Sequence, residues 1–419
     1  MSYPSTAEPA NILFVHYGDN WIRGSEVCLI NLVDSIDRQA FTPIIWTNNA
    51  SLHKRILESE QSILSSFRFL FNELTPDTTF NGWIKQIADA VRIIKEYKID
   101  LIHVNSGAPC QWMVVASYLT HVPMVTQLHS SYSWKDKITL GLYHAPLVIT
   151  VSHAIRRSLR QEGAKFSSLK VISNGCTPPQ SSNLTPMDVK KLLGLSKDHL
   201  LLVSVGSLIH RKGMDKLIKV IHCLNGSKNR YHLLIIGDGE ERAALEKLCQ
   251  QLQLESQIHF IGEQPDVYRW LQNGPDIFIS GARNEAFGLA LAEAALAPLP
   301  VIAPYRGGIP EVLQNRRSAL LYRDDCENSI ANVVIELASN PQLQQRLATT
   351  AKRHVEQTFS VTNNTRSFEK LYRNVIHHPS KGVPSLSSLF YPFSYTFLVS
   401  ALRLLKQRAL ATFSLKEIS

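Results

Sequence analysis

Two glutamates eight positions apart, Glu285 and Glu293, flank the stretch Asn284-Glu285-Ala286-Phe287-Gly288-Leu289-Ala290-Leu291-Ala292-Glu293-Ala294. The apolar run Pro275 to Ser280 before it has the composition of a buried strand. The Ala- and Leu-rich residues after it are strong helix formers, and Pro298 and Pro300 end the helix. Glu285 to Gly288 therefore fall at a strand-to-helix turn. There the new helix offers open N–H groups and partial positive charge, a site suited to a phosphate. With Glu293 two turns into the helix, the carboxylates stand roughly 12 Å apart at about 1.5 Å per residue. A carboxylate pair cleaving one glycosidic bond needs about 5–9.5 Å. The spacing suits a longer ligand with a carboxylate toward each end and a phosphate between, which is the shape of a nucleotide-sugar. An ordinary strand–helix unit with two surface glutamates has the same pattern.

A second charged turn follows the apolar strand Leu200 to Gly206. It runs from Ser207 to Gly213, carries Arg211 and Lys212 side by side, and leads into a helix from Met214 with Leu217, Ile218 and Ile221 apolar. Arg brings a bidentate fork and Lys a point charge, a pair able to hold a diphosphate as well as to line a solvated turn. Two further strands end in turns: Leu233 to Ile236 before Gly237-Asp238-Gly239, and Ile258 to Gly262 with Phe260 and Ile261. In the first half, the strand Asn11 to His16 ends at Tyr17-Gly18. Arg23-Gly24-Ser25-Glu26 then opens an amphipathic helix expected over Val27 to Ile36. Gly24 at a helix start lets the backbone approach a ligand closely, or serves as a helix-start glycine alone. His129 directly follows the strand Met124 to Leu128. His16, His103 and His153 also sit near strand ends and rank behind it, as lining residues.

These residues need a frame that gathers strand ends. Apolar runs at 43–46, 99–104, 124–128, 147–151 and 171–173 alternate with helical stretches such as Trp83 to Tyr97 and Gln111 to Leu119. That alternation predicts a parallel sheet with helices on both faces, and such sheets bind ligands beyond the carboxyl ends of their strands. Ser152 has the composition of an N-cap for a helix carrying Arg156, Arg157 and Arg160. Those arginines suit a solvated face, or a basic patch toward an anionic acceptor or membrane. Thr177 to Pro186 is polar with three prolines and reads as a linker.

A chain of 419 residues exceeds one compact core and implies two domains. The formal charge is +9, divided as +2 over residues 1–185, +3 over 186–375 and +4 over 376–419. No nucleic-acid module pattern accompanies this excess, so phosphate-bearing substrates or an anionic membrane face are the expected counterparts. The six cysteines are scattered without a C-x-x-C pair, as in a reduced, cytosolic protein without a cysteine metal site. The segment Met1 to Ala10 lacks a basic start and an apolar run, so no signal peptide is expected. Near the end, Leu389 to Leu402 is aromatic-rich and is followed by Arg403, Lys406 and Arg408. Its fourteen residues fall short of the about 20 a membrane span needs. It suits an interfacial anchor or a helix packed on protein.

The segment from Glu285 to Glu311 resembles the signature of family 4 glycosyltransferases of the GT-B fold. Glu285, seven residues, Glu293, the strand Val301 to Pro304, then Gly307-Gly308 and Glu311 recur at that family's spacing. The resemblance implies an α/β protein of two Rossmann-like, doubly wound domains facing each other across a cleft. The first, acceptor-side domain is expected over 1–178, a linker over 179–186, and a nucleotide-sugar-binding domain over 187–360. A crossing helix follows at 361–376, and the aromatic, basic tail at 377–419 lies outside the resemblance. The implied reaction moves a sugar from a nucleotide-sugar to a hydroxyl of a sugar or lipid-linked acceptor, with retention and with neither metal nor cofactor. It belongs to polysaccharide or glycolipid synthesis in the cytoplasm, with peripheral membrane contact left to the tail.

By the same resemblance Arg211 and Lys212 hold the diphosphate with the turn at Phe287, Gly288 and Leu289. Glu293 binds the ribose and Glu285 the sugar hydroxyls. Gly206 and Gly237 border the donor, Phe260 and Ile261 the base, and Gly24 and His129 add the first domain's share. Ser207 stands where the family often has Arg, and Arg23 where it often has a second glycine. No Asp-x-Asp occurs, in keeping with a metal-free leaving group. A nucleotide-sugar epimerase and a non-catalytic, partner-binding or membrane-recruited relative are the alternatives.

Overall fold

The computed structural model describes residues 8–58, 80–161, 169–176, 187–224 and 230–385. The expected linker at 179–186 and the greater part of the expected tail, 386–419, lie outside them. Among the described residues no helix is long and apolar enough to cross a membrane.

The chain divides into two compact units. One takes residues to Thr150, Ser158 to Val171 and Arg366 onward; the other takes Val151 to Arg157 and Ile172 to Thr365. The helix Val361–His377 therefore contributes its first residues to the second unit and the rest to the first.

The first unit has a six-stranded sheet of β1 (Ala10–His16), β2 (Phe41–Thr47), β3 (Leu101–Val104), β4 (Met124–Leu128), β5 (Val148–Thr150) and β6 (Leu169–Val171). All pairings are parallel and the order is β2-β1-β3-β4-β5-β6. Both faces are covered, which is why β1 reads as an apolar run and β3 as one broken only by His103: Ile12 to Val15 and Leu101 to Val104 are fully buried. His103 belongs to that interior. Its Nδ1 lies 2.5 Å from Tyr372 Oη and its Nε2 3.2 Å from Gln127 Oε1, with the Phe368 ring tilted alongside. Burial, aided by the nearby His129, holds its pKa down to about 3. It is a core histidine and not the lining residue expected from its place near a strand end.

The second unit has β7 (Leu200–Val205), β8 (Tyr231–Ile236), β9 (Ile258–Phe260), β10 (Ile277–Ile279), β11 (Val301–Pro304) and β12 (Leu320–Tyr322). These are again all parallel, in the order β12-β11-β10-β7-β8-β9. Its core joins strand residues such as Leu202, Leu233 and Ile277 to Leu217, Ile218 and Ile221 on the helix Met214–Leu224. The strand order reverses between β1 and β3 in the first unit and between β7 and β10 in the second. In an open α/β sheet such a reversal opens a crevice at the carboxyl ends.

Candidate active site

In the second unit the reversal brings the two charged turns together. After β7 comes a 3-10 turn, His210–Lys212, and after β10 the loop that carries Glu285. Lys212 Nζ donates to Glu285 Oε2 at 2.6 Å. Arg211 is more open, 3.9 Å from Glu285 Oε1, and its guanidinium also donates to the Asn284 carbonyl at 3.3 Å. Gly206 has φ +151 and leaves the space that the Lys212 methylenes cross. Gly237 packs directly on the Gly206 carbonyl, and a side chain there would collide with it. Lys212, Glu285, Gly288, Ser204 and Ser280 line one small pocket.

The helix after Glu285 begins just beyond the expected turn of Glu285 to Gly288. It spans Leu289–Leu296, with Gly288 at φ +104 as its N-cap residue. Ala286 and Phe287 are apolar but belong to the loop, where Phe287 is buried edge-on against Phe359. What Phe287 can offer a ligand is therefore backbone, not side chain. Glu293 lies little more than one turn into the helix, not two, and Glu285 lies outside it, so the roughly 12 Å helical spacing does not apply. The Glu293 carboxyl makes no hydrogen bond to any described residue. Burial raises its pKa above the usual value, and the charge of Lys212 only partly offsets this.

The glycines of the signature have a mechanical reason. Gly307, at φ +55, and Gly308 lie flat against the backbone of Glu285 and Ala286, and a Cβ at either would run into those carbonyl oxygens. Gly308 N–H donates to the Glu285 carbonyl at 2.9 Å. This pair fixes the loop that aims Glu285. Glu311 accepts from the N–H groups of His153 and Ala154, both at 2.7 Å, and so caps the helix His153–Gln161 together with Ser152. His153 offers this contact through its backbone, and its side chain is exposed.

Arg283, absent from the expected residues, grips Asp215 with both terminal nitrogens at 2.7 and 2.6 Å and donates to the His210 carbonyl. It ties the β10 loop to the turn that bears Arg211 and Lys212. Ser207, at the place of the missing Arg, is partly buried, and its carbonyl accepts from Ile209. Phe260 ends β9 under the Arg242 guanidinium, and Ile261 follows, donating to the Ile235 carbonyl. Both are partly open.

In the first unit Gly24 is the first residue of the helix Gly24–Ser35, three positions before the expected start. The earlier start follows from Glu26, whose Oε2 accepts from the Arg23 N–H at 3.0 Å and from Ser25 Oγ at 3.1 Å. Its Oε1 lies 2.8 Å from His16 Nε2. Asn105, just beyond β3, lies 3.1 Å from His16 Nδ1 and presents its Oδ1 3.1 Å from His129 Nε2. Burial opposes charge on Glu26, but the His16 contact and the Glu26 and Arg23 N–H groups outweigh it and bring the carboxyl to about 2. Burial, with His16 nearby, holds His129 down to about 4 against the pull of Glu26. The sequence signals for this group were the Arg23-to-Glu26 capping spacing and the position of Asn105 directly after a strand.

The two parallel sheets, each with charged or polar loops at its strand reversal, define an α/β protein of two Rossmann-like units. Residues 22–178 match the model of Glycosyltransferase Family 4, and residues 188–354 match that of Glycosyl transferases group 1. The chain belongs to this family of GT-B glycosyltransferases. It is 22% identical over 301 residues to N-acetyl-alpha-D-glucosaminyl L-malate synthase of Bacillus anthracis, covering 69% of this chain and 78% of that one. It is 21% identical over 363 residues to the lipopolysaccharide core biosynthesis glycosyltransferase LpsD of Rhizobium meliloti, covering 86% and 97%. Among solved structures, Anabaena HepE in complex with UDP and glucose superposes with a TM-score of 0.74 at 23% identity, over 86% of this chain and 99% of HepE.

Proposed function

We propose that this glycosyltransferase moves a sugar from a nucleoside-diphosphate sugar to a hydroxyl of a saccharide or lipid-linked acceptor, with retention at the anomeric carbon and without a divalent metal. The observation that carries the reading is the meeting of Lys212 and Glu285, 2.6 Å apart at the ends of β7 and β10, beside the N-terminus of the helix Leu289–Leu296. Breaking the bond between the sugar and a diphosphate leaves negative charge on the departing oxygens. Lys212, Arg211 and the helix N–H groups are fixed donors that offset such charge as it develops. Glu285, held by Lys212, is left to orient sugar hydroxyls, and Glu293, with an unmet carboxyl, to take the ribose hydroxyls. Retention rests on the family resemblance. The nucleotide donor gains support from HepE, whose structure holds UDP and glucose.

A role in cell-envelope polysaccharide or glycolipid synthesis fits the lipopolysaccharide-core relative. A cytoplasmic site of action, with the basic and aromatic C-terminal segment on the inner membrane face, fits the charge distribution. The test is a binding screen against UDP, GDP, ADP and dTDP in EDTA, followed by turnover of the matching nucleotide-sugars. Tight binding of one nucleotide and acceptor-dependent release of it supports the reading. Failure of all four to bind the folded protein refutes it.

A further inference from the structure

The turn that carries Arg211 and Lys212 is held by a single residue of the neighbouring loop. Arg283 lies two positions before Glu285, in the loop after β10. Its guanidinium donates to the His210 carbonyl at 2.8 Å and to the two carboxylate oxygens of Asp215 at 2.7 and 2.6 Å. Its backbone N–H donates to the Arg211 carbonyl at 2.8 Å. One side chain thus spans the 3-10 turn His210–Lys212, from its first residue to the start of the helix Met214–Leu224. Between these ends lies Gly213, at φ +64, pressed so closely on Gly281 that a Cβ on either glycine would run into the other's carbonyl oxygen. The two loops are therefore joined through backbone at Arg211 and Gly213, and through the Arg283 fork at His210 and Asp215. Burial opposes charge on Asp215, but the Arg283 contact, with the Lys216 N–H and Lys219 behind it, outweighs burial and holds the pKa below its usual value. Both partners are ionised near neutrality, so the fork is charge-assisted.

We propose that Arg283 and Asp215 are positioning residues: they hold the 3-10 turn and the Glu285 loop in one register, and so give the second unit its grip on the second phosphate of a nucleoside diphosphate. An ion pair serving stability alone fits the geometry less well. The two side chains are 26% and 28% exposed, and an ion pair in that setting adds little to stability. The fork also spends a donor on a backbone carbonyl, and that carbonyl belongs to the residue directly before Arg211. The reach of Lys212 depends on this turn. Its methylenes cross the space left by Gly206, and its Nζ stands 2.6 Å from Glu285 Oε2. Loosening the turn moves both cations relative to Glu285, and a misplacement of about 1 Å is enough to cost about a hundredfold where a group must be met in one geometry. In the transfer reading the base and ribose are met elsewhere, at Phe260, Ile261 and Glu293, so a nucleoside monophosphate depends on the clamp far less than a diphosphate does. The phosphate half of the proposal rests on that reading; the register of the turn does not.

The experiment uses the full chain beside Arg283→Gln, Asp215→Asn and Arg283→Lys, the last of which keeps the charge and loses the fork. Amide hydrogen exchange over residues 207–213 reads the turn. Calorimetric titration with UDP, GDP, ADP and dTDP, each beside its monophosphate, reads the grip. Every variant is expected to exchange faster over 207–213 and to lower Tm by no more than about 4 °C. Diphosphate affinity is expected to fall at least about tenfold, with the monophosphate bound as in the wild-type protein. Arg283→Lys is expected to lose about as much as Arg283→Gln, because the fork supplies position and not charge alone. Full diphosphate affinity in Arg283→Lys overturns the positioning role and leaves charge as the whole effect. Equal loss of monophosphate and diphosphate affinity assigns the clamp to the folding of the second unit and overturns the proposal as well. Unchanged exchange over 207–213 in all the variants overturns the register. Absence of nucleotide binding by the wild-type protein refutes the phosphate half together with the transfer reading, and the register then stands or falls on the exchange.

Discussion

Replacing Glu293 by Gln sets two effects of one side chain against each other. The carboxyl has no hydrogen bond to any described residue, and burial raises its pKa above 4.5 with Lys212 giving partial relief. A raised carboxyl pKa means that the folded protein holds this proton more tightly than the unfolded chain. The contribution to stability is therefore fully present below about 4.5 and lost as pH rises through the folded value. Above its folded pKa the carboxyl of the ligand-free protein is a partly desolvated charge that Lys212 offsets only in part. Leaving such a group unmet costs about 1–3 kcal/mol, and because Gln keeps an unmet amide the expected gain is near about 1 kcal/mol. In a unit of this size that is a Tm rise of roughly 2–4 °C at pH 8, with little change at pH 4. For the nucleotide the sign reverses. Gln loses the charge-assisted bonds to the ribose hydroxyls, about 1.5–3 kcal/mol, which weakens Kd by roughly 10- to 150-fold. Calorimetric titration at pH 7.5 with the nucleotide selected by the screen, beside thermal melts at both pH values, reads the two effects. An unchanged Kd in a folded Glu293→Gln protein removes Glu293 from the nucleotide site. A lower Tm with intact affinity assigns it to structure.

Lys212→Ala is expected to lower kcat by about 10²–10³, the scale for loss of one donor to developing negative charge, with the far-UV circular dichroism unchanged. Near-normal turnover would exclude Lys212 from the reaction. Gly307→Ala should cost stability on the order of 1–3 kcal/mol and nearly all activity, because its Cβ meets the Glu285 carbonyl and the loop must move. Gly194→Ala is the control: φ is also positive, +68, but the space around it is open, so a modest Tm loss with full activity is expected. Equal activity losses in both variants would contradict the role given to the Gly307–Gly308 pair. Turnover is expected to survive EDTA and to gain nothing from added Mg²⁺ or Mn²⁺, and metal-dependent turnover would overturn the electrostatic reading built on Arg211 and Lys212.

What was legible in the sequence, and what was not, follows from how the two sheets are built. Strands buried on both faces read as apolar runs, so β1, β4, β7, β8 and β11 stand out, and the residue after each strand is a site candidate by topology alone. That reasoning reached Lys212, Glu285 and His129 separately. It could not pair them, because pairing depends on strand order. Lys212 and Glu285 are 73 residues apart and meet only since β10 lies beside β7. Likewise His16, Glu26, Asn105 and His129 come from four segments, joined across separations of 10, 89 and 24 residues. The turn at Glu285 to Gly288 was legible, but the depth of Glu293 in the helix after it was not. Ala286 and Phe287 favour a helix locally, yet burial of Phe287 against Phe359 and the backbone contact with Gly307 and Gly308 hold them in a loop. The consequence is chemical. A helix starting at Glu285 would spend its first N–H groups beside that carboxylate, whereas one starting at Leu289 keeps them beside Gly288. Glu285 is thereby free to turn back to Lys212. The glycine pair some twenty residues downstream thus decides where positive potential and negative charge separate, and a separation of that kind is what a diphosphate bearing a sugar requires.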